Sequence, residues 1–187
     1  ATMYRDNPFH NFEHASHVTM SVVKLLSRIV APDQVANVGD STLHDHTHTY
    51  GITSDPLTQF ACVFAALIHD VDHTGLPNTQ LVKEKRALAG TYNDRSVAEQ
   101  NSVDVAWALL MDDSFAAIRR VIYSNGDELK HFRLLVVNSV MATDIMDKDL
   151  KELRNSRWDR AFQGSAAAVP ESIRDTVNRK ATIVIEH

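Results

Sequence analysis

Cysteine, glycine and proline are scarce in this chain of 187 residues, which contains one Cys, six Gly and five Pro. A single cysteine rules out a disulfide framework within the chain, and this suits a reducing compartment. Cys62 lies in the apolar run 60–64, where we expect a buried, inert thiol. We therefore expect an intracellular location, at the cytosolic face if the parent protein is anchored in a membrane.

Basic charge and long apolar runs are also in short supply. Lys and Arg number 19 against 24 Asp and Glu, so the net charge of −5 gives no electrostatic footprint for nucleic acid. No apolar stretch reaches the roughly 20 residues that a transmembrane helix needs. We expect no nucleic-acid partner and no direct membrane contact from this segment. Regulatory or membrane segments elsewhere in the parent chain stay open.

Strict alternation of apolar and polar residues is nearly absent, whereas helix signals recur along the chain. Asn7-Pro8 and Asp55-Pro56 each place a capping residue before a proline at the first helical position. The segment after Pro56 is apolar nearly all round, which predicts a central, buried helix. Ser96-Val97-Ala98-Glu99 has the sequence of a capping box and predicts another helix start. The pattern predicts an all-α fold.

The other segments are shorter or less regular, and one domain accounts for them at this length. Helices are predicted from about 78 and near 114–123, 127–144, 146–155 and 171–186, loops at 32–54 and 89–94, and a small-residue linker at 163–168. Three alternating histidines, His44, His46 and His48, lie in the first loop. They allow a metal-binding interpretation, but a solvated loop insertion is favoured.

Two clusters of histidine and acidic residues carry the chemistry of the sequence. His69-Asp70-Val71-Asp72-His73 ends the apolar helix predicted after Pro56. A buried His-Asp pair there is costly unless a cation or hydrogen bonds compensate the carboxylate charge. Upstream, His10 and His14 stand at i and i+4, which predicts two imidazoles one turn apart on one helical face. Imidazole and carboxylate together are common ligands of zinc and related divalent metals. The clusters indicate a metal-assisted hydrolase.

Four motifs in this order resemble those of the class I cyclic nucleotide phosphodiesterases. His10–Ala15 resembles the H-N-x-x-H-A signature, and His69–Gly75 followed by Asn78 resembles the metal-binding motif. The segment 92–99 is similar to Y-N-D-x-S-V-x-E, and 142–144 is similar to A-T-D. The resemblance implies a compact multi-helix, HD-like catalytic domain. Such a domain hydrolyses a 3′,5′-cyclic nucleotide, cAMP or cGMP, to the 5′-monophosphate in intracellular signal transduction.

The resemblance also implies a role for each matching residue. His14, His69 and Asp70 would hold a zinc-like ion at the tight site, and Asp70 would bridge to a second ion, magnesium or manganese. His10 would protonate the departing ribose oxygen, so that His10 and Asp70 contact the substrate. The residues implied around the second ion and its waters are His73, Glu99, Thr143 and Asp144. Without the other motifs, Glu99 could serve only as a capping glutamate, and Thr143 and Asp144 could simply end a helix.

The chain departs from the family pattern at several positions. His17 stands at a permissive position where many family members have Asp. Gln100-Asn101-Ser102 stands where the family often has Asn-His-His, so local support of the metal ligands is expected to differ there. No matching candidate for the family's last metal-binding aspartate or its purine pocket appears before His187. The chain also ends within an apolar run, 183–185. For both reasons we expect residues 1–187 to be a partial catalytic domain, truncated at the C-terminus.

Other functions compete with this interpretation. His10-x-x-Glu13-His14 also satisfies the H-x-x-E-H pattern of inverzincin metalloproteases, in which Glu13 would be the general base. That hypothesis leaves the 69–73 cluster unexplained and lacks strands to hold a peptide. Another His-Asp metal-dependent phosphohydrolase is a second alternative, and a helical signalling module with a decayed site is a third. The order of the motifs and the 92–99 segment favour cyclic nucleotides.

Overall fold

The computed structural model describes residues 1–27, 52, 55–162, 180, 183 and 185, and in these ranges the chain forms helices and turns without a strand. The helices are α1 Phe12–Leu26, α2 Pro56–Ile68, α3 Asn78–Lys83, α4 Ala87–Thr91, α5 Val97–Met111, a 3₁₀ turn Asp113–Phe115, α6 Ala116–Ile122, α7 Gly126–Met141 and α8 Lys148–Phe162. The all-α prediction is confirmed. Within the described part of the chain, no helix is both long and apolar enough to cross a membrane.

Several predicted segments lie largely or wholly outside the described residues. They are the 32–54 loop with His44, His46 and His48, the 163–168 linker, and most of the helix near 171–186. The helix predicted near 146–155 extends further, as α8, to Phe162. Two more boundaries also differ from expectation. A short helix, α4, occupies the start of the predicted 89–94 loop, and α7 ends at Met141, so that residues 142–144 fall in the turn before α8.

Helix α2 is the centre of the fold, as the apolar pattern after Pro56 predicts. The Asp55 carboxylate caps it by accepting from two backbone N–H groups of its first turn. It packs against α1, α5 and α7. The shared core comprises Ala61, Ala65 and Ile68 of α2, Val103, Ala106 and Leu110 of α5, and Phe132, Leu135, Val136 and Val140 of α7. Burial also raises the pKa of the Cys62 thiol to about 11, so this cysteine is a protonated, unreactive thiol near neutral pH.

Helix α1 begins at Phe12 rather than directly after Pro8, so the sequence-based expectation for this start is wrong. Asn11 is the capping residue, and its side chain accepts from the His14 N–H at 2.9 Å. Upstream, the Asn7 side chain accepts from the Phe9 N–H and donates to the His10 carbonyl, which holds the chain in a turn. His10 therefore precedes the helix, and the two histidines do not share a helical face.

Helix α5 begins without the predicted capping box. Ser96 adopts a left-handed conformation with φ of 35°, and its side chain makes no capping hydrogen bond. The Ala98 N–H donates instead to the side-chain carbonyl of Asn78, 2.9 Å away. The Glu99 carboxylate accepts from the same Asn78 side chain rather than from the helix start. A residue 20 positions before Ala98 thus replaces the local cap and also holds the Glu99 carboxylate.

Candidate metal centre

Three imidazoles surround one carboxylate oxygen at the end of α2. Asp70 Oδ2 lies 3.0 Å from His10 Nδ1, 3.2 Å from His69 Nε2 and 3.7 Å from His14 Nε2. The Asp70 residue is only 7% exposed, so these contacts replace most of its contact with water. His10, His14, His69, Asp70 and His73 are called the histidine cluster below.

The histidine cluster contains two overlapping sets of potential ligands. One set is His14, His69 and Asp70; the other is His10, Asp70 and His73. In each set one ligand atom per residue lies within 4.8 Å of the others. Asp70 belongs to both sets, as a bridging carboxylate would. Imidazole nitrogen and carboxylate oxygen form a donor set suited to divalent metals, and the residues therefore fit a metal centre.

Hydrogen bonds to the second ring nitrogen define what His69 and His73 can do. His69 Nδ1 lies 2.9 Å from the Ala66 carbonyl oxygen. Since a carbonyl oxygen can only accept, Nδ1 is the donor, and Nε2 faces Asp70. His73 Nδ1 accepts from the Gly75 N–H at 2.9 Å, so a neutral His73 ring carries its proton on Nε2. His69 is therefore arranged for direct ligation, and His73 for donating a hydrogen bond to a bound oxygen.

The ionisation of the histidine cluster also suits a cation. Burial lowers the pKa of both His14 and His73, which keeps these rings neutral near pH 7. Burial opposes ionisation of Asp70, but hydrogen bonds from His69 and His10 outweigh it and lower the pKa of Asp70 to about 2. Burial lowers the pKa of His69, but its hydrogen bond to Asp70, the charge of Asp70 and the hydrogen bond to the Ala66 carbonyl together outweigh burial, so the pKa is raised. His69 Nε2, which faces Asp70, is thus the nitrogen that would give up its proton to bind a metal.

A second polar group, the acidic cluster, comprises Asn78, Glu99 and Asp144. The Asn78 amide nitrogen donates to Glu99 Oε2 at 2.8 Å and to Asp144 Oδ2 at 3.2 Å. Because the Asn78 oxygen already accepts from the Ala98 N–H, the orientation of this amide is fixed. Asn78 is the first residue of α3, and Pro77 holds the cap position of that helix.

The charge of the acidic cluster is not neutralised by a basic side chain. None of the ion pairs within the described ranges includes Glu99 or Asp144. Burial raises the pKa of Glu99, and the charges of Asp144 and Asp70 raise it further against the Asn78 hydrogen bond. The cluster is thus a buried concentration of negative charge next to the histidine cluster.

The structure brings together all the predicted site residues except Thr143. Thr143 is exposed, and its hydroxyl donates to the Val140 carbonyl at 2.7 Å, the role of a residue that ends a helix. Its position beside Asp144 keeps it near the acidic cluster, but it belongs to neither ligand set. Its role around a second ion stays a prediction.

Two residues outside the predicted site, Asn7 and Phe9, shape the histidine cluster. The Asn7 side chain donates to the His73 carbonyl at 3.2 Å as well as to that of His10, so it ties the two ligand segments together. The Phe9 ring lies 4.4 Å from the His14 ring and 5.0 Å from the His10 ring. Phe9 directly precedes the first motif, and Asn7 was predicted only as a helix cap.

Comparison with known proteins identifies the family. The family model for 3′5′-cyclic nucleotide phosphodiesterase matches residues 9–167, which is most of the chain. The chain therefore belongs to the 3′5′-cyclic nucleotide phosphodiesterase family, and the resemblance seen in the four motifs is confirmed.

Individual relatives agree with this assignment. The chain is 34% identical over 139 residues to the human dual specificity calcium/calmodulin-dependent 3′,5′-cyclic nucleotide phosphodiesterase 1C, a match covering 74% of this chain and 17% of that protein. It is 34% identical over 179 residues to the Drosophila melanogaster 3′,5′-cyclic-AMP phosphodiesterase, isoform F, covering 92% of this chain and 23% of that protein.

A solved structure shares the fold. The phosphodiesterase domain of the RhoPDE fusion protein from the choanoflagellate Salpingoeca rosetta superimposes with a TM-score of 0.68 at 25% identity. The match covers 99% of this chain and 49% of that one. The chain thus has the helical architecture of a phosphodiesterase catalytic domain and spans about half the length of the solved one.

Proposed function

We propose that the protein containing this chain hydrolyses a 3′,5′-cyclic nucleotide to the 5′-nucleoside monophosphate. The observation that carries this proposal is the shared carboxylate of Asp70, which lies in both ligand sets of the histidine cluster. A cyclic phosphodiester is an anion that resists attack by hydroxide, and two cations bridged by one carboxylate are suited to binding it. The relatives, named as acting on cAMP or on both cyclic nucleotides, support this substrate class.

His14, His69 and Asp70 would hold a zinc-like ion, and Asp70 would also hold a second ion, magnesium or manganese. Zinc suits a set of two imidazole nitrogens, of His14 and of His69 once it has lost a proton, and one anionic oxygen. Magnesium prefers oxygen ligands, which the carboxylates of the acidic cluster offer. Such ions, when bound, neutralise phosphate charge and lower the pKa of bound water.

His10 is proposed as the general acid. Its Nδ1 faces Asp70 Oδ2, an anion that can only accept, so Nδ1 carries a proton and Nε2 is left to carry a second one. With 32% of its side chain exposed, His10 is accessible to a substrate. We propose that it gives the Nε2 proton to the ribose oxygen as the P–O bond breaks.

The remaining residues would arrange water around the second ion. A neutral His73 donates from Nε2, and Glu99 accepts with a carboxylate held by Asn78. Asp144 supports Glu99 through the same amide, and its other oxygen accepts from the N–H groups of residues 146 and 147. Thr143 is included in this group because of its motif position only.

Hydrolysis assays on the full-length protein that contains this chain test the proposal. With zinc and magnesium or manganese present, we expect release of 5′-AMP or 5′-GMP from the 3′,5′-cyclic nucleotide and its loss on chelation. A 2′,3′-cyclic nucleotide and an aryl phosphate serve as comparison substrates. Faster turnover of these two than of cAMP and cGMP would favour the general phosphohydrolase alternative instead.

The protease alternative has its own test. Glu13 is exposed on the first turn of α1, and His10 and His14 fall in different ligand sets, contrary to the arrangement of an inverzincin. We expect Glu13→Gln to leave cyclic nucleotide turnover within about 2-fold and stability within about 0.5 kcal/mol, as for an ordinary surface change. Peptide cleavage that Glu13→Gln abolishes would overturn this.

A further inference from the structure

Asp72 connects the metal-binding turn to two distant parts of the chain. It lies between Asp70 and His73 and adopts a left-handed conformation with φ of 59°. Its Oδ1 accepts from Arg5 Nε at 2.7 Å, and its Oδ2 accepts from the Asn101 amide at 3.1 Å. Its backbone N–H donates to the Met3 carbonyl at 2.9 Å. The turn is therefore held by the N-terminal segment on one side and by α5 on the other.

Helix α5 makes a second contact with the same turn. The Ser102 hydroxyl, which is fully buried, donates to the Val71 carbonyl at 2.8 Å. Two consecutive residues of α5, Asn101 and Ser102, thus bind two consecutive residues of the turn. Both are neutral groups at positions where the sequence departs from the family pattern. A buried polar group is costly to leave without a partner, so these contacts specify one conformation of the turn.

The two sides of Asp72 differ in how firmly they hold it. The Arg5–Asp72 ion pair is half exposed, and a pair of this kind contributes little on its own. Asn101, by contrast, is 6% exposed and projects from a helix that packs on α2 and α7. A rigid helix fixes the position of a site more closely than an exposed side chain does.

We propose that Asn101 and Ser102 are positioning residues for the metal centre. Through Asp72 and the Val71 carbonyl they set the turn that carries Asp70 and His73, so that Asp70 Oδ2 stays among the imidazoles of the histidine cluster. Asp72 is then an anchor of the turn and not a ligand. This inference rests on the proposed metal-dependent function.

A reciprocal exchange tests the contact between Asp72 and Asn101. Asn101→Asp places two carboxylates, those of positions 72 and 101, next to each other. Asp72→Asn leaves a single acceptor oxygen at position 72 for the two donors, Arg5 Nε and Asn101 Nδ2. The double variant Asp72→Asn/Asn101→Asp restores both hydrogen bonds, with the amide oxygen facing Arg5 and the amide nitrogen facing the new carboxylate. Asn is tolerated in the left-handed conformation of position 72, so the exchange does not strain the backbone.

Zinc affinity, measured by competition with a chelator on the 187-residue chain, is the first readout. We expect Asn101→Asp to weaken zinc binding by about 10–100-fold, as for changes to groups that orient metal ligands, and Asp72→Asn and Ser102→Ala to have smaller effects in the same direction. The double variant should recover most of the loss. Gln80→Glu is the matched control, because Gln80 donates its amide to the Glu84 carboxylate on the exposed surface of α3 and should leave zinc affinity unchanged.

The second readout is the ring ¹⁵N spectrum of His69 and His73 in the metal-free chain. Positioning predicts that the single variants alter these signals and that the double variant restores them. A merely structural role would lower the melting temperature in chelator and leave the zinc affinity of the folded chain unchanged.

The outcomes separate this inference from the proposed function. A full-length wild-type protein that binds neither zinc nor manganese would overturn the proposed function, and the imidazole spectra would still decide the positioning question. Folded single variants with wild-type affinity and wild-type imidazole spectra would overturn the inference. So would a folded double variant that binds zinc as weakly as Asn101→Asp.

Discussion

The histidine cluster and the acidic cluster are neighbours, but they differ in how the negative charge of their carboxylates is balanced. In the histidine cluster, one carboxylate oxygen faces three imidazole nitrogens at 3.0, 3.2 and 3.7 Å. In the acidic cluster, two carboxylates share the hydrogens of a single neutral amide, that of Asn78. The first arrangement balances its charge with its own side chains, whereas the second does not.

The pKa values of two carboxyl groups record this difference. Hydrogen bonds from His69 and His10 lower the pKa of Asp70 to about 2 against the effect of burial. Burial raises the pKa of Glu99, and the charges of Asp144 and Asp70 add to that shift. The fold therefore favours the ionised form of Asp70 and disfavours that of Glu99, and a bound cation would offset the second effect. We propose that the histidine cluster would bind its ion with ligands already in place, whereas the acidic cluster would need its ion to balance its charge.

The largest expected effect is that of His14→Ala. Because His14 belongs to the tight ligand set only, its loss should weaken zinc binding by more than about 100-fold and remove activity with the metal. Isothermal titration of the 187-residue chain measures the affinity. His17→Ala, an exposed histidine one turn further along α1, is the control and should bind zinc as wild type does. Equal losses in both variants would contradict a specific site.

The next effect is that of His10→Ala, which separates proton transfer from metal binding. Zinc binding should stay within a few-fold of wild type, because His10 lies outside the tight set, while turnover falls by roughly 10²–10⁴-fold. Measurement of metal content and kcat on the same full-length preparation checks both. A variant that loses zinc as completely as His14→Ala does would show that His10 is a ligand instead.

The sequence predicted the composition of the histidine cluster better than its local geometry. The motifs named His14, His69 and Asp70 as one group, and the structure does bring them together. The predicted helix start at Asn7-Pro8 fails because the Asn7 side chain closes a turn over the following residues. A capping residue signals a chain reversal as readily as a helix start, so the two cannot be separated by local pattern.

The acidic cluster was harder to predict, for a tertiary reason. Ser96 and Glu99 match a capping box, but the capping contact comes from Asn78, 20 residues before the Ala98 N–H that it accepts from. Nothing in the local sequence reports that contact. The same holds for the proposed positioning contacts. The sequence showed Asp72 only as part of a motif and showed Asn101 and Ser102 only as departures from the family pattern, since these contacts depend on where α5 packs.

Asn78→Ala tests the acidic cluster directly. The change leaves the Ala98 N–H without its acceptor and removes the one donor that Glu99 and Asp144 share. We expect the metal-free chain to lose about 1–3 kcal/mol of stability. Affinity for manganese at the second site should fall by about 10–100-fold, with zinc binding less affected. Chemical denaturation and manganese EPR measure the two effects.

Gln80→Ala, on the same short helix but exposed, provides the baseline for Asn78→Ala and should change stability by no more than about 0.5 kcal/mol. If Asn78→Ala bound manganese as tightly as Gln80→Ala, the amide would have no part in the second site.

The smallest expected effect is that of Glu99→Gln. The change should raise the stability of the metal-free chain and lower its affinity for manganese. The variant mimics the protonated form, which the raised pKa of Glu99 shows to be favoured in the fold. The metal-free variant should therefore melt at a higher temperature than wild type at neutral pH. Manganese affinity should fall.

The pH dependence of this difference follows from linkage. A carboxyl group whose pKa is raised on folding favours the fold below its ordinary pKa, 4.5 for Glu99, and loses that contribution as pH rises through the folded pKa. The two melting temperatures should therefore converge below about pH 4.5 and separate above it. A variant that is less stable than wild type at neutral pH would contradict the account of the acidic cluster.

The most direct test of the central claim is the anomalous scattering of zinc in crystals of the 187-residue chain loaded with one equivalent of the metal. We predict a single strong peak about 2.0–2.2 Å from His14 Nε2, His69 Nε2 and an Asp70 carboxylate oxygen. A chain that is well ordered in this region but shows its zinc only at other histidines, such as those of the 44–48 segment, would contradict the claim that the histidine cluster is a metal centre.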